Sequence, residues 1–226
     1  MSAVALTVRM PDVAHLNRRK MIKQFRFKQS DIGVFNHSAR QVADRIDKNS
    51  RVMGLTRGEY SLIDIIHAIL QKIGEANVAC VTWSAGIKDA YQVKWMCDTD
   101  LINSFTLITD HSYATRQRKY VLAITDLFGE ENIRTSEIHA KFTLIWNDDW
   151  KICIRHSMNL NANRTCESFE IDEGDEVFDF YMDFVEYITQ EQKVGFESRN
   201  FVVNKTLDKY FQEKQEPADY SFFKVE

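Results

Sequence analysis

From Tyr60 onward the apolar positions fall into a helical rhythm: Leu62, Ile63, Ile66, Ile69, Leu70 and Ile73 line one stripe and predict a helix. Ser61 and Asp64 make its start, with the acid near the positive helix end, and Gly74 stands where a C-terminal cap is expected. Asn77 to Trp83 is an apolar run without alternation, the pattern of a strand buried on both faces. Residues 88–98 predict a helix, Phe105 to Thr109 a second buried strand, and Tyr113 to Phe128 a second long helix. Strand, helix, strand, helix implies a largely parallel sheet with helices packed on it.

After Gly129 the pattern changes to consecutive strands, about Asn132 to Ser136, His139 to Trp146 and Trp150 to Ser157. Asn147, Asp148 and Asp149 form a tight polar connection, so the last two should pair as a hairpin. A short strand is expected over residues 168–172, then an amphipathic helix from Glu176 to Gln190 with Val177, Phe180, Tyr181, Phe184, Val185 and Ile188 inward. Upstream, Met21 to Phe27 alternates like an edge strand and Ala39 to Ile46 predicts a short helix. Only two prolines and eight glycines punctuate the chain, so boundaries come from changes of period. They divide it into an N-terminal extension (1–52), one domain (53–192) and a charged, aromatic C-terminal tail (193–226) with Pro217 as a breaker.

At 226 residues and 44% hydrophobic content the chain can bury one sizeable core. Its early apolar stretches are interrupted by Arg9, Asp12, His15 and Arg18-Arg19-Lys20, unlike a secretory signal. No apolar run approaches the roughly 20 residues needed to cross a bilayer, so a cytoplasmic protein with no membrane partner is expected. Cys80, Cys97, Cys153 and Cys166 show no C-x-x-C pair or neighbouring His at metal-ligand spacing, which fits buried reduced thiols rather than a zinc site. A net charge of -4 argues against a protein that coats nucleic acid non-specifically, while leaving room for a local basic groove.

The candidate chemistry lies in the hairpin. Two-residue periodicity puts His139, Lys141 and Thr143 on one strand face, opposite Ala140, Phe142, Leu144 and Trp146. The next strand ends in Ser157, Asn159 and Asn161 at common parity. Imidazole, ammonium, hydroxyl and carboxamide converging on one patch suit a phosphate diester: Lys neutralises charge, Ser and Asn donate to non-bridging oxygens, and His attacks phosphorus or moves a proton.

His139-x-Lys141, then Ser157-x-Asn159, then Glu167 before a short strand, resembles the phospholipase D superfamily signature H-x-K-x4-D, G-S-x-N and a downstream Glu. The likeness covers about residues 58–190, and no second H-x-K occurs in the chain. It implies that family's α/β fold, a mixed, mainly parallel sheet flanked by helices on both faces. It implies His139 as the nucleophile that forms a phosphohistidine, Lys141 and Asn159 on the phosphoryl oxygens, and Ser157 supporting them. Glu167 would orient the His ring, with Glu170 as the alternative. A single motif implies a homodimer that shares the active site, a hydrolase of nuclease type acting on nucleic acid such as DNA, and no cofactor or metal. Two positions depart from the pattern: Trp146 stands where the family places Asp, and His156 where it places Gly. His156 could crowd the pocket, face the core with Ile154, or act as an extra acid.

Around this motif His111, with Asp110 and Ser112, follows the second strand at the end where parallel sheets gather ligands. His111, Arg116 and Asn161 are the candidate substrate-binding residues. Arg116, Arg118 and Lys119 read as a solvated face by default, or as a border that attracts a phosphate backbone. Trp83 and Ser84 would line the same rim, although Trp83 reads equally as core. His67 reads as a half-buried structural histidine. The competing function is a catalytically degenerate module that binds nucleic acid or a protein partner; a synthase-like phosphoryl transfer is a third reading.

Overall fold

The computed structural model describes residues 31–34, 38–161, 165–196 and 200–214. The edge strand expected over Met21 to Phe27 lies outside them. The described chain runs β1 (Asp31–Val34), α1 (Ala39–Asp44), β2 (Arg51–Thr56), α2 (Leu62–Ile73), β3 (Ala76–Thr82), α3 (Ile87–Asp98) and β4 (Ile102–Asp110). It continues through α4 (Tyr113–Arg116), α5 (Arg118–Phe128), β5 (Ile133–Ser136), β6 (Phe142–Trp146), β7 (Lys151–His156), β8 (Glu167–Glu173), α6 (Asp175–Glu191) and α7 (Asn200–Glu213).

Local chemistry sets several of these boundaries. Asp64 accepts the Ser61 backbone N–H at 2.7 Å in a capping box, which satisfies a donor that the first turn of α2 leaves open. Gly74 ends α2 at φ 82, a left-handed conformation that favours glycine. The single helix expected over Tyr113 to Phe128 is instead two, broken at Gln117 (φ −126, ψ 38). Tyr113 is fully buried with its hydroxyl donating to the Ala85 carbonyl at 2.8 Å. The break lets α5 set its own angle and bury Ile124 and Phe128.

One sheet holds all eight strands in the order β1-β2-β8-β7-β6-β3-β4-β5. Six strands run in one direction and β6 and β8 oppose them, so four of the seven neighbouring pairs are antiparallel. The mainly parallel expectation therefore holds for strand direction and is corrected for pairing. The short connections from β6 to β7 and from β7 to β8 admit only antiparallel ladders. Helices cover both faces: α1, α2, α3 and α5 share one core with Val52, Val78, Leu107, Ile145 and Ile154, whereas α6 packs on Val81, Ile108, Phe142 and Leu144. Residues 31–52, expected as part of an extension, contribute β1, α1 and the start of β2 to this sheet. Within the expected tail, α7 brings a fully buried Tyr210 against Phe184, with ring centroids 5.4 Å apart.

Candidate active site

The ends of β3, β4, β5 and β7 and the starts of β6 and β8 meet at one edge of the sheet. Val81 pairs with Phe142, Phe142 with Arg155, and His156 with Phe169, so this alignment follows from register. The expected strand from His139 starts only at Phe142. His139 and Lys141 lie in the extended approach to it, and the shared face with Thr143 does not form: Thr143 is fully buried while His139 is exposed. The two-residue alternation holds only where the ladder does.

Lys141 turns back to donate its ammonium to the His139 carbonyl at 3.1 Å, and its own carbonyl accepts the His156 N–H at 3.2 Å. Burial pulls the Lys141 pKa below its ordinary value, against the opposing charge of Glu167. Ser157 donates its hydroxyl to Glu167 and accepts the Ser168 N–H at 2.9 Å. Thr165 adds a hydrogen bond to the other Glu167 oxygen at 3.2 Å. Lys141, Ser157 and Glu167 thus occupy three adjacent segments. Glu170 instead forms an ion pair with Arg155 at 2.5 Å, on the far side of the ladder from this row.

The turn after β7 is tied to the end of β3. Asn159 Oδ1 meets the Thr82 hydroxyl at 3.4 Å, Leu160 donates its N–H to the Ser84 carbonyl at 3.2 Å, and Gly86 donates to the Leu160 carbonyl at 2.7 Å. Asn161 sits against Gly86, where a Cβ would meet the Asn161 Cβ at 3.1 Å. Glycine is therefore needed there for the close approach. Thr82, fully buried, was not legible as a site residue because its role depends on a contact 77 residues away.

His156 faces inward, in parity with Ile152 and Ile154. Its Nδ1 lies 2.9 Å from the Met158 carbonyl and its Nε2 3.3 Å from Thr143 Oγ1. A carbonyl only accepts, so the network assigns the proton to Nδ1 and leaves Nε2 to accept from Thr143. Burial pushes the His156 pKa down to about 4; the Met158 hydrogen bond opposes this and the Lys141 charge adds to it. Of its three possible roles, the structure supports the core-facing one. Trp146, the second departure, lies at the opposite end of β6, paired with Asn77 and packed on Phe178 with centroids 5.8 Å apart.

His139 places its ring 5.8 Å from that of Trp83, and the Arg116 guanidinium lies over the Trp83 ring at 3.7 Å. Arg116 donates to the Ser112 hydroxyl at 2.9 Å and the Trp83 carbonyl at 3.2 Å. Asp110, missed as a site residue, accepts the Ser112 N–H at 3.0 Å and the Ile138 N–H at 3.3 Å. His111 Nδ1 lies 3.6 Å from Asp110 Oδ2, beyond a good hydrogen bond. The structure thus brings all eight sequence-predicted residues to this edge and adds Thr82, Trp83 and Asp110.

No family model and no curated protein matches the sequence. Two solved structures are similar to it. One is Nuc from Salmonella typhimurium, a phospholipase D family member, at 11% identity over 64% of this chain and 97% of that one, with a TM-score of 0.45. The other is phosphatidylserine synthase from Haemophilus influenzae Rd KW20, at 13% identity over 73% of this chain and 45% of that one, with a TM-score of 0.46. Among the described residues, no helix is long and apolar enough to cross a membrane.

Proposed function

We propose that the chain is a metal-independent phosphodiesterase that cleaves nucleic acid through a phosphohistidine on His139, with a second copy of the chain completing the site. The observation that carries this reading is the row of Lys141, Ser157 and Glu167 on three adjacent segments beside an exposed His139. In that reading a His139 ring nitrogen attacks phosphorus and the bond to the leaving oxygen breaks. The leaving oxygen takes a proton from the His139 of the second copy. Water, deprotonated by that same second imidazole, then attacks the phosphohistidine and releases the phosphate monoester. Lys141, Ser157 and Asn159 hold the non-bridging oxygens as charge develops on them.

Both departures from the motif lie away from this row, Trp146 at the other sheet edge and His156 turned inward, which supports working chemistry over a binding relic. Exposed Arg118 and Lys119 beside Arg116 at the same edge favour a polyanionic substrate. The test is hydrolysis of a DNA oligonucleotide with EDTA present, alongside the oligomeric state by light scattering. We expect cleavage to persist in EDTA, an acid-labile phosphoryl label on the wild-type chain, a dimer in solution, and a loss of about 10^3-fold in His139→Ala. Full activity in that variant would overturn the assignment.

A further inference from the structure

An exposed imidazole on an extended segment has several rotamers open to it, so something must hold the His139 ring if it is to meet phosphorus in line. Glu167, which the motif offers for that task, receives hydrogen bonds from Ser157 and Thr165. The ring contact that His139 makes is with Trp83, at 5.8 Å between centroids and 59° between planes. Trp83 is itself held. The Arg116 guanidinium lies over its indole at 3.7 Å and donates to its carbonyl at 3.2 Å. Arg116 is fixed in turn by the Ser112 hydroxyl at 2.9 Å, and Ser112 by Asp110, which accepts its N–H at 3.0 Å. The same Asp110 carboxylate, nearly buried, accepts the N–H of Ile138 at 3.3 Å, the residue immediately before His139. Asp110 therefore reaches the nucleophile by two routes, through the backbone at 138 and through the ring at 139.

We propose that Trp83 is a positioning residue for His139, braced by Arg116 and Asp110; this rests on the reading of His139 as the nucleophile. The indole closes off one range of imidazole rotamers, and the guanidinium keeps the indole from turning away. Arg116 then acts chiefly as a brace, with its Nε and one terminal nitrogen already engaged inside the protein. Placement of a reacting group within a fraction of an ångström is worth large rate factors, so loosening the ring should lower turnover more than binding.

The experiment compares Trp83→Ala, Trp83→Phe and Arg116→Met in the full chain. It reads two quantities: the rate at which diethyl pyrocarbonate modifies His139, followed by mass spectrometry, and kcat and KM on a DNA oligonucleotide. Trp83→Ala should speed modification several-fold and lower kcat about tenfold with KM little changed. Trp83→Phe, which keeps an aromatic wall, should restore most of both properties, and Arg116→Met should fall between. Arg116 lies at the surface, so its variant carries the test should Trp83→Ala fail to fold. Unchanged modification of His139 in the folded variants overturns the proposal, as does a loss confined to KM. Should the wild-type chain hydrolyse nothing, the catalytic reading falls, while the modification rates still decide whether Trp83 holds the ring.

Discussion

His156→Gln isolates one inward-facing titratable group beneath the site. In the folded protein His156 is held neutral, with its Nδ1 proton on the Met158 carbonyl and its Nε2 toward Thr143. Protonation would place a charge in a buried setting beside Lys141 and turn the Thr143 hydroxyl away. Because the folded-state pKa lies below the ordinary value, protonation favours the unfolded chain. Stability is full above about pH 6.5, falls as the pH drops, and the loss is complete below about pH 4. At about 1.4 kcal/mol per tenfold change in the protonation equilibrium, the fall from 6.5 to about 4 corresponds to about 3 kcal/mol. That is a large part of the 5–15 kcal/mol typical of a whole domain, roughly speaking. Glutamine can donate to Met158 and accept from Thr143 without titrating. Urea unfolding from about pH 7 to about pH 4 should therefore show the wild type losing about 3 kcal/mol more than His156→Gln across that window. Carboxylates titrate in both proteins and cancel in the difference. Parallel curves for the two proteins would refute the inward, neutral assignment.

Two further substitutions test the scaffold. A Cβ on Gly54 would lie 2.3 Å from the Phe169 ring, which is itself buried, so Gly54→Ala should destabilise by about 1–3 kcal/mol through overpacking, read as a lower melting temperature. The Asp172 carboxylate accepts from Arg51 at 2.5 Å and Arg155 at 2.6 Å and is almost fully buried, so Asp172→Ala should cost about 3 kcal/mol in urea unfolding; a change within error would mean that water replaces it there.

Elements whose causes are local were legible in the sequence. The start and end of α2 follow from Ser61, Asp64 and Gly74, and β3 and β4 follow from apolar runs buried on both faces. Elements whose causes are distant were not. Strand β2 carries Arg51, Gly54 and Leu55 in place of a clean alternation, because it is stabilised by pairing with β8 and Gly54 makes room for Phe169. The break at Gln117 is hidden by the continuous apolar pattern on either side of it. At the site, the motif residues were found by type and spacing, whereas the face assigned to His139 and Lys141 was wrong because the ladder begins one residue after Lys141. The direction of His156 was open to the same alternation rule, since it shares parity with Ile152 and Ile154 inside a true strand.

The antiparallel insertion of β6, β7 and β8 between β2 and β3 is what makes a chemical edge out of this sheet. The parallel strands β3 and β4 end there with Trp83 and Asp110, which hold other groups in place. The inserted strands start or end there with Lys141, Ser157 and Glu167, groups able to meet an anion. The cost of that arrangement falls on Lys141, whose ionised form is disfavoured by burial and only partly compensated by Glu167. A phosphodiester anion drawn onto the ammonium would supply the compensation that burial withholds, raising the Lys141 pKa as it binds. By linkage the same anion is held most firmly while Lys141 is protonated, so affinity weakens as pH climbs through that depressed pKa. Under the proposed reading, a half-buried lysine is thus less a structural ion than a charge kept short of partners until the substrate arrives.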